Sequence, residues 1–133
     1  MKSYYSKEVI KRFTNPKNFG GIKNADGVGK VGNPRCGDVM KLYIKVEKRE
    51  GKEIIKDIKF YTLGCAAAIA TSDMVCDLVK SKPLKEALKL DYKKIIKDLG
   101  DLPPLKIHCS VLAKEGLKAA IKNYYERRKK EKN

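Results

Sequence analysis

No apolar stretch of this 133-residue chain approaches the ~20 residues needed to cross a bilayer. The start, Met1-Lys2-Ser3-Tyr4-Tyr5, lacks an apolar segment with a cleavage site. Its first twenty residues hold Arg12 as their only arginine, and just Ser3 and Ser6 as serines, too few for an organellar transit peptide. The expected setting is therefore the cytoplasm of a prokaryote, with no membrane partner. No two of the cysteines form a CxxC pair, which removes the zinc-knuckle and thioredoxin-like patterns. Nothing marks the chain as secreted, so a disulfide framework is not expected either. Neither an internal repeat nor a linker is visible, and residues 1–133 are expected to form one domain.

What is present argues for folding: 42% of the residues are hydrophobic and 35% charged, too apolar for a disordered chain. Lysine and arginine number 31 against 16 aspartates and glutamates, a net charge of +15 that suits nucleic acid or an acidic protein surface. Lys41, Lys45, Lys48, Lys56 and Lys59 are spread along predicted strands, however, in the manner of a solvated thermophile surface. Aromatic and basic residues interleave only where Tyr124-Tyr125 meets Arg127-Arg128. A nucleic-acid-binding module with a structural metal therefore ranks behind the readings below.

The pattern predicts a short amphipathic helix over Ser6 to Phe13, with Val9, Ile10 and Phe13 on one side, stopped by Asn15-Pro16. A glycine-rich stretch from Gly20 to Gly37 reads as a loop. Within it Gly27-Val28-Gly29-Lys30-Val31-Gly32 fits GxGxxG, but Asn33-Pro34 follows where a helix would have to open. Lys41 to Val46 alternates as a half-buried strand, Glu50-Gly51-Lys52 forms a turn, and Glu53 to Thr62 returns with Ile54, Ile58 and Phe60 on one face. Helices are expected over Ala66 to Val79, Asp91 to Leu99, and about Ser110 to Arg127, the last with Leu117, Ile121 and Tyr124 inward and a fraying basic end. The order gives an α+β domain with helices covering one face of a small antiparallel sheet.

Cys36, Cys65 and Cys109 each fall at a junction: before the first strand, between strand and helix, and just before the last helix. Such loop ends can converge, and structural cysteines of a cytosolic protein more often sit inside elements as small apolar side chains. In Cys36-Gly37-Asp38 an extended backbone turns thiolate and carboxylate to the same side, so that both can grip one metal. Asp38 read alone is equally a turn residue. Cys65 and Cys109 lie where helix N-termini should begin, which favours their thiolates. His108, the only histidine, adjoins Cys109. Cys76 lies on an apolar helical stripe ~16 Å along the axis from Cys65 and reads as core.

With these residues in hand, the chain resembles the IscU family of iron-sulfur cluster scaffolds, related to the N-terminal domain of NifU. The resemblance rests on Val31-Gly32-Asn33-Pro34-Arg35-Cys36-Gly37-Asp38, on Gly64-Cys65-Ala66-Ala67-Ala68-Ile69-Ala70-Thr71-Ser72, and on Leu102-Pro103-Pro104-Leu105-Lys106-Ile107-His108-Cys109-Ser110. Tyr5-Ser6 and Asn15-Pro16-Lys17-Asn18 add to it. It implies a three-stranded antiparallel sheet with helices mainly on one face. It implies a scaffold and carrier, not an enzyme, with a [2Fe-2S] cluster held by Cys36, Cys65 and Cys109, and with Asp38 or His108 as fourth ligand. Zinc can occupy the apo site of such proteins. The resemblance implies further that sulfur arrives as persulfide from a cysteine desulfurase, with Cys109 the first acceptor and Cys36 and Cys65 assisting, and that the cluster passes to apo iron-sulfur proteins.

The expected partners include a ferredoxin or frataxin-like helper, and, because exposed thiolates on one face can share a cluster between two chains, a homodimer around a cluster. Leu102 to Lys106 is similar to the segment that an Hsp70-type chaperone recognises, with Leu105 where a valine is usual; a proline-stiffened loop that aims His108 and Cys109 is the alternative. A zinc-bound persulfide acceptor of the SufU branch is the competing function. His108 and the short interval between the second and third motifs argue against it.

Overall fold

The structure, a computed structural model, describes residues 5–33 and 38–131, the side chains of Asn33, Asp38 and Glu131 excepted. Strands β1 (Gly27–Asn33), β2 (Asp38–Arg49) and β3 (Lys52–Thr62) form one antiparallel sheet in the order β1-β2-β3. The helices are α1 (Lys7–Thr14), α2 (Ala66–Val79), α3 (Leu84–Ala87), α4 (Tyr92–Asp98) and α5 (Ile107–Glu131), the last preceded by a 3-10 turn, Pro104–Lys106. α5 lies on β1 and β2, and α2 lies on β3. Together they bury Met40, Leu42, Ile44, Ile58 and Phe60 on one face of the sheet. This is the expected α+β arrangement. α3, four residues long, was not legible in the sequence.

The β2–β3 turn puts both Glu50 (φ 54°) and Gly51 (φ 78°) in the left-handed region. That is the backbone a right-twisted two-residue hairpin asks for. One expectation fails here. Lys45 pairs with Asp57 but Val46 pairs with Ile55, so Lys56 is an extra residue in β3. The bulge moves the inward set to Ile55, Ile58 and Phe60, and Ile54 is only half-buried.

β1 is the second correction, because residues 27–33 of the glycine-rich segment form a strand and not a loop, while 20–26 keep to turns and bends. The reason lies in α5. A Cβ on Gly29 would stand 2.3 Å from the Gly116 carbonyl oxygen and 2.4 Å from the Ala120 nitrogen, and one on Gly27 would stand 2.4 Å from the Ala120 oxygen. Glycine at alternate positions of one strand face thus lets a helix backbone lie almost on a strand backbone. Val28 continues the contact by donating its N–H to Asn123 Oδ1 at 3.0 Å.

The helix continues through the basic end to Glu131, and Arg127 and Arg128 hold it to the sheet, where fraying was expected. Glu53 accepts from Tyr124 and Arg128, and Arg127 donates to the Ala25 carbonyl at 3.0 Å. Burial first, then the hydrogen bond to Glu53, pushes the Tyr124 hydroxyl up to about 12.

α1 begins at Ser6, whose hydroxyl accepts from the Val9 N–H at 3.1 Å. Its packed face carries Val9 and Arg12 and leaves Ile10 and Phe13 exposed, against expectation. Arg12 takes the place expected of the apolar pair, bridging Asp73 at 2.8 Å and Asp77 at 2.7 Å on α2. The Asn18 side chain binds both carboxylates, and the segment it begins runs along the outer edge of β3, where Gly20 donates to the Phe60 carbonyl at 2.7 Å.

Burial alone would raise the Asp77 carboxyl, but the hydrogen bond from Asn18 and then the pairing with Arg12 outweigh it and hold it below the usual range. A carboxyl depressed in the folded state contributes stability that is complete above its unfolded value, near about 4, and lost as pH falls through the folded one. Denaturant melts between pH 6 and pH 3 should therefore show stability falling in the wild type. Asp77→Asn should start lower at pH 6 and fall less over the interval.

Candidate functional site

Cys65 is the N-cap of α2, a position where Ser, Thr, Asp or Asn is usual, and its carbonyl accepts the first helical bond from Ile69 at 3.1 Å. The helix start is built from alanines, of which Ala67 and Ala68 are buried, so no larger side chain stands between the sulfur and the first backbone N–H groups. The thiol is half-buried. Burial, the largest influence, would raise its pKa. The backbone N–H groups of Ala68 and Ala67, then the Lys106 ammonium and the Cys109 thiol, outweigh it and hold Cys65 below the ordinary thiol value.

Cys109 lies in the first turn of α5 and not just before it as expected, because the helix opens at Ile107, three residues earlier than Ser110, directly after the 3-10 turn. Pro103 and Pro104 set that turn up, Pro104 standing at its first position. Cys109 is 1% exposed, and the Thr71 hydroxyl of α2 reaches its carbonyl at 3.4 Å, tying the two helix starts together. His108 is exposed. Its Nδ1 lies 3.0 Å from the Leu105 carbonyl oxygen, and a carbonyl only accepts, so Nδ1 carries the proton. In the neutral ring Nε2, 3.8 Å from Cys109 Sγ, then keeps the lone pair with which an imidazole ligates a metal.

The other expected residues are placed by the backbone or not at all. Asp38 begins β2 opposite Asn33. The next residue, Val39, accepts from Leu63 N at 3.3 Å and from the Thr62 hydroxyl at 2.7 Å, so the start of β2 lies beside the chain leading into Cys65. Cys36 lies outside the described residues. Among the described residues no three His, Cys, Asp or Glu side chains form a group able to hold a metal ion. Cys76 sits in the core as expected, fully buried, and burial pushes its thiol well up.

Lys106 was quoted in the third motif without a role. Its ammonium faces the Cys65 sulfur, and that pairing is the largest influence raising its own pKa. Only the fold brings residue 106 to residue 65, so periodicity could not reveal it. In Lys106→Ala the Cys65 thiol should lose the ammonium that helps hold its pKa down and titrate higher. At pH 7 its thiolate fraction should fall, and alkylation of Cys65 by iodoacetamide, followed by peptide mass spectrometry, should slow; an unchanged rate would remove Lys106 from the site.

Residues 4–131 match the family model of the NifU-like N terminal domain. The chain is 50% identical over 123 residues to the iron-sulfur cluster assembly scaffold protein IscU 1 of Archaeoglobus fulgidus, covering 92% of this chain and 78% of that protein. It is 48% identical over 124 residues to the IscU scaffold protein of Aquifex aeolicus, covering 93% and 78%. With the IscU scaffold protein of Buchnera aphidicola subsp. Baizongia pistaciae it shares 49% over 128 residues, covering 94% and 98%. Among solved structures, a SUF-system scaffold protein from Fervidobacterium islandicum superposes with a TM-score of 0.66 at 24% identity, over 89% of this chain and 96% of that one. The N-terminal part of a NifU-like protein from Brucella abortus gives 0.60 at 20%, over 92% and 95%. These two likenesses concern the fold.

Proposed function

The chain belongs to the family of the NifU-like N terminal domain, and from that premise we propose that it is an assembly scaffold on which a [2Fe-2S] cluster is built and from which it is handed on. The cluster is cargo, and the chain acts as carrier and not as enzyme. The observation that carries the reading is the meeting of two helix starts, which brings the Cys65 thiol, the Cys109 thiol and the His108 imidazole to one end of the sheet. Cys36 and Asp38 complete the proposed donor set. Three thiolates suit cluster iron, while an oxygen or imidazole in the fourth position is a poorer match than a fourth cysteine and favours release. The same donors would accept zinc in the absence of iron.

Sulfur is proposed to arrive from a cysteine desulfurase. The Cys109 thiolate attacks the terminal sulfur of the donor's persulfide; the new S–S bond forms on Cys109, the donor's S–S bond breaks, and the donor cysteine leaves as thiolate. No net oxidation occurs in that step. Reduction of the sulfane sulfur to sulfide takes two electrons from an external one-electron carrier such as a ferredoxin. Because Cys109 is buried, delivery requires the turn before it to yield. That turn is short and carries Leu105 fully outward.

The test is anaerobic assembly with iron, cysteine and a desulfurase, followed by addition of an apo-ferredoxin. Appearance of the holo-ferredoxin spectrum at the expense of the scaffold's own supports the reading. Persulfide on the chain with no cluster at any stage would replace it by the zinc-bound sulfur acceptor.

A further inference from the structure

A small apolar cluster runs from the outer edge of β3 onto the sheet face turned away from α2 and α5 and leads to Cys65. Phe19, 44% exposed, pairs with Phe60 at the β3 edge, where its ring meets the buried Phe60 ring edge-on, and Tyr61, 38% exposed, lies beside it on the outer face with ring centroids 5.6 Å apart. Leu63, 68% exposed, follows two residues after Tyr61 and two before Cys65. The strand register sets Lys41 directly opposite Tyr61, and Lys30 directly opposite Lys41. Like charges facing each other across two strands repel. Among the described residues no carboxylate lies within ion-pair distance of either lysine. The chain as a whole carries +15, so nothing in its net charge relieves the pair.

We infer that Phe19, Tyr61 and Leu63, flanked by Lys30 and Lys41, are the docking face for the protein that exchanges cargo at Cys65, and that this partner presents an apolar centre beside aspartates or glutamates. The inference rests on the scaffold reading and adds to it the surface and the partner's chemistry. Exchange needs contact at the Cys65 sulfur, and a protein that reaches it covers Leu63. The exposed side chains form a row that ends at the site, and the lysines, without a carboxylate partner among the described residues, stand beside that row, where opposite charge speeds encounter and fixes orientation. Single-stranded nucleic acid fits less well. Tyr43, the other aromatic on this face, lies beneath the backbone at Gly21, which leaves one ring pair for stacking and an aliphatic Leu63 beyond it.

The test uses protein loaded chemically with iron and sulfide, and an acidic apo-[2Fe-2S] ferredoxin as the probe. In Lys30→Glu/Lys41→Glu the second-order rate of cluster transfer should fall at least tenfold and its dependence on salt should flatten. Tyr61→Ser should slow transfer at every salt concentration. Lys85→Glu/Lys93→Glu, which makes the same charge change on α3 and α4, should alter the rate less than twofold. Equal losses in both charge-reversed proteins, or no loss in either, would overturn the inference. So would impaired chemical loading in the face variants, which would make these residues part of the site, or tighter binding of a single-stranded oligonucleotide than of the ferredoxin. Chemical loading of the wild type separately tests the scaffold reading. If that fails, calorimetric binding of the apo-ferredoxin to the apo chain and its variants still decides the face.

Discussion

Gly29→Val is expected to lower stability by about 3 kcal/mol or more, at the upper end of what overpacking costs, and to leave little folded protein. The added Cβ would meet the Gly116 carbonyl and the Ala120 nitrogen, both backbone atoms of α5 that no rotamer change can move aside. Relief requires α5 to lift off β1. Since the first turn of α5 carries His108 and Cys109, any folded remainder should also hold its cluster poorly. Gly21→Ala is the matched control: its Cβ would lie 3.6 Å from the Tyr43 ring, an ordinary contact, and stability should change by less than about 0.5 kcal/mol. Urea melts followed by circular dichroism measure both. A Gly29→Val protein as stable as the wild type would mean that the strand and the helix do not lie this close.

The second large effect separates the cysteines by role. If Cys65 and Cys36 are cluster ligands as proposed, Cys65→Ala and Cys36→Ala should each reduce stable cluster content by on the order of a hundredfold, since loss of a direct ligand costs at least as much as loss of the groups that orient one. The Cys65→Ala fold should survive with a cost of about 1 kcal/mol, because the thiol is only half-buried and makes no capping hydrogen bond at the start of α2. Cys109→Ala should likewise lose cluster, and in addition should accept no persulfide. Cys76→Ala should do the reverse: it empties a fully buried position and costs about 1 kcal/mol while cluster content stays at the wild-type level. Iron and sulfide analysis beside the same urea melts reads all four. A Cys76→Ala protein without cluster would contradict the placement of the donors at the sheet end.

The sequence made some elements plain and concealed others for physical reasons. α2 was legible to the residue because its alanine-rich run has a helical spacing and its N-cap is a motif cysteine. β1 was not. Glycine disfavours strands, and what makes glycine necessary at positions 27 and 29 is the nearness of Gly116 and Ala120, ninety residues on. Ile54 was taken for Ile55 because a one-residue bulge at Lys56 resets the alternation midway along β3. Ile10 and Phe13 were expected inside because apolar residues usually are, but the packed face of α1 holds Arg12, whose partners on α2 lie some sixty residues away. At the site, cysteine positions were readable from the junctions they occupy. The proximity of Lys106 to Cys65 and the burial of Cys109 depend on how two helix starts meet, which no local pattern records.

The most direct test of the central claim is a Mössbauer spectrum, with the matching absorption spectrum, of the wild-type chain after anaerobic assembly with iron-57, cysteine and a desulfurase. The scaffold account predicts the signature of a [2Fe-2S] cluster that diminishes in Cys65→Ala. A colourless protein that keeps zinc and gains only persulfide sulfur would contradict it.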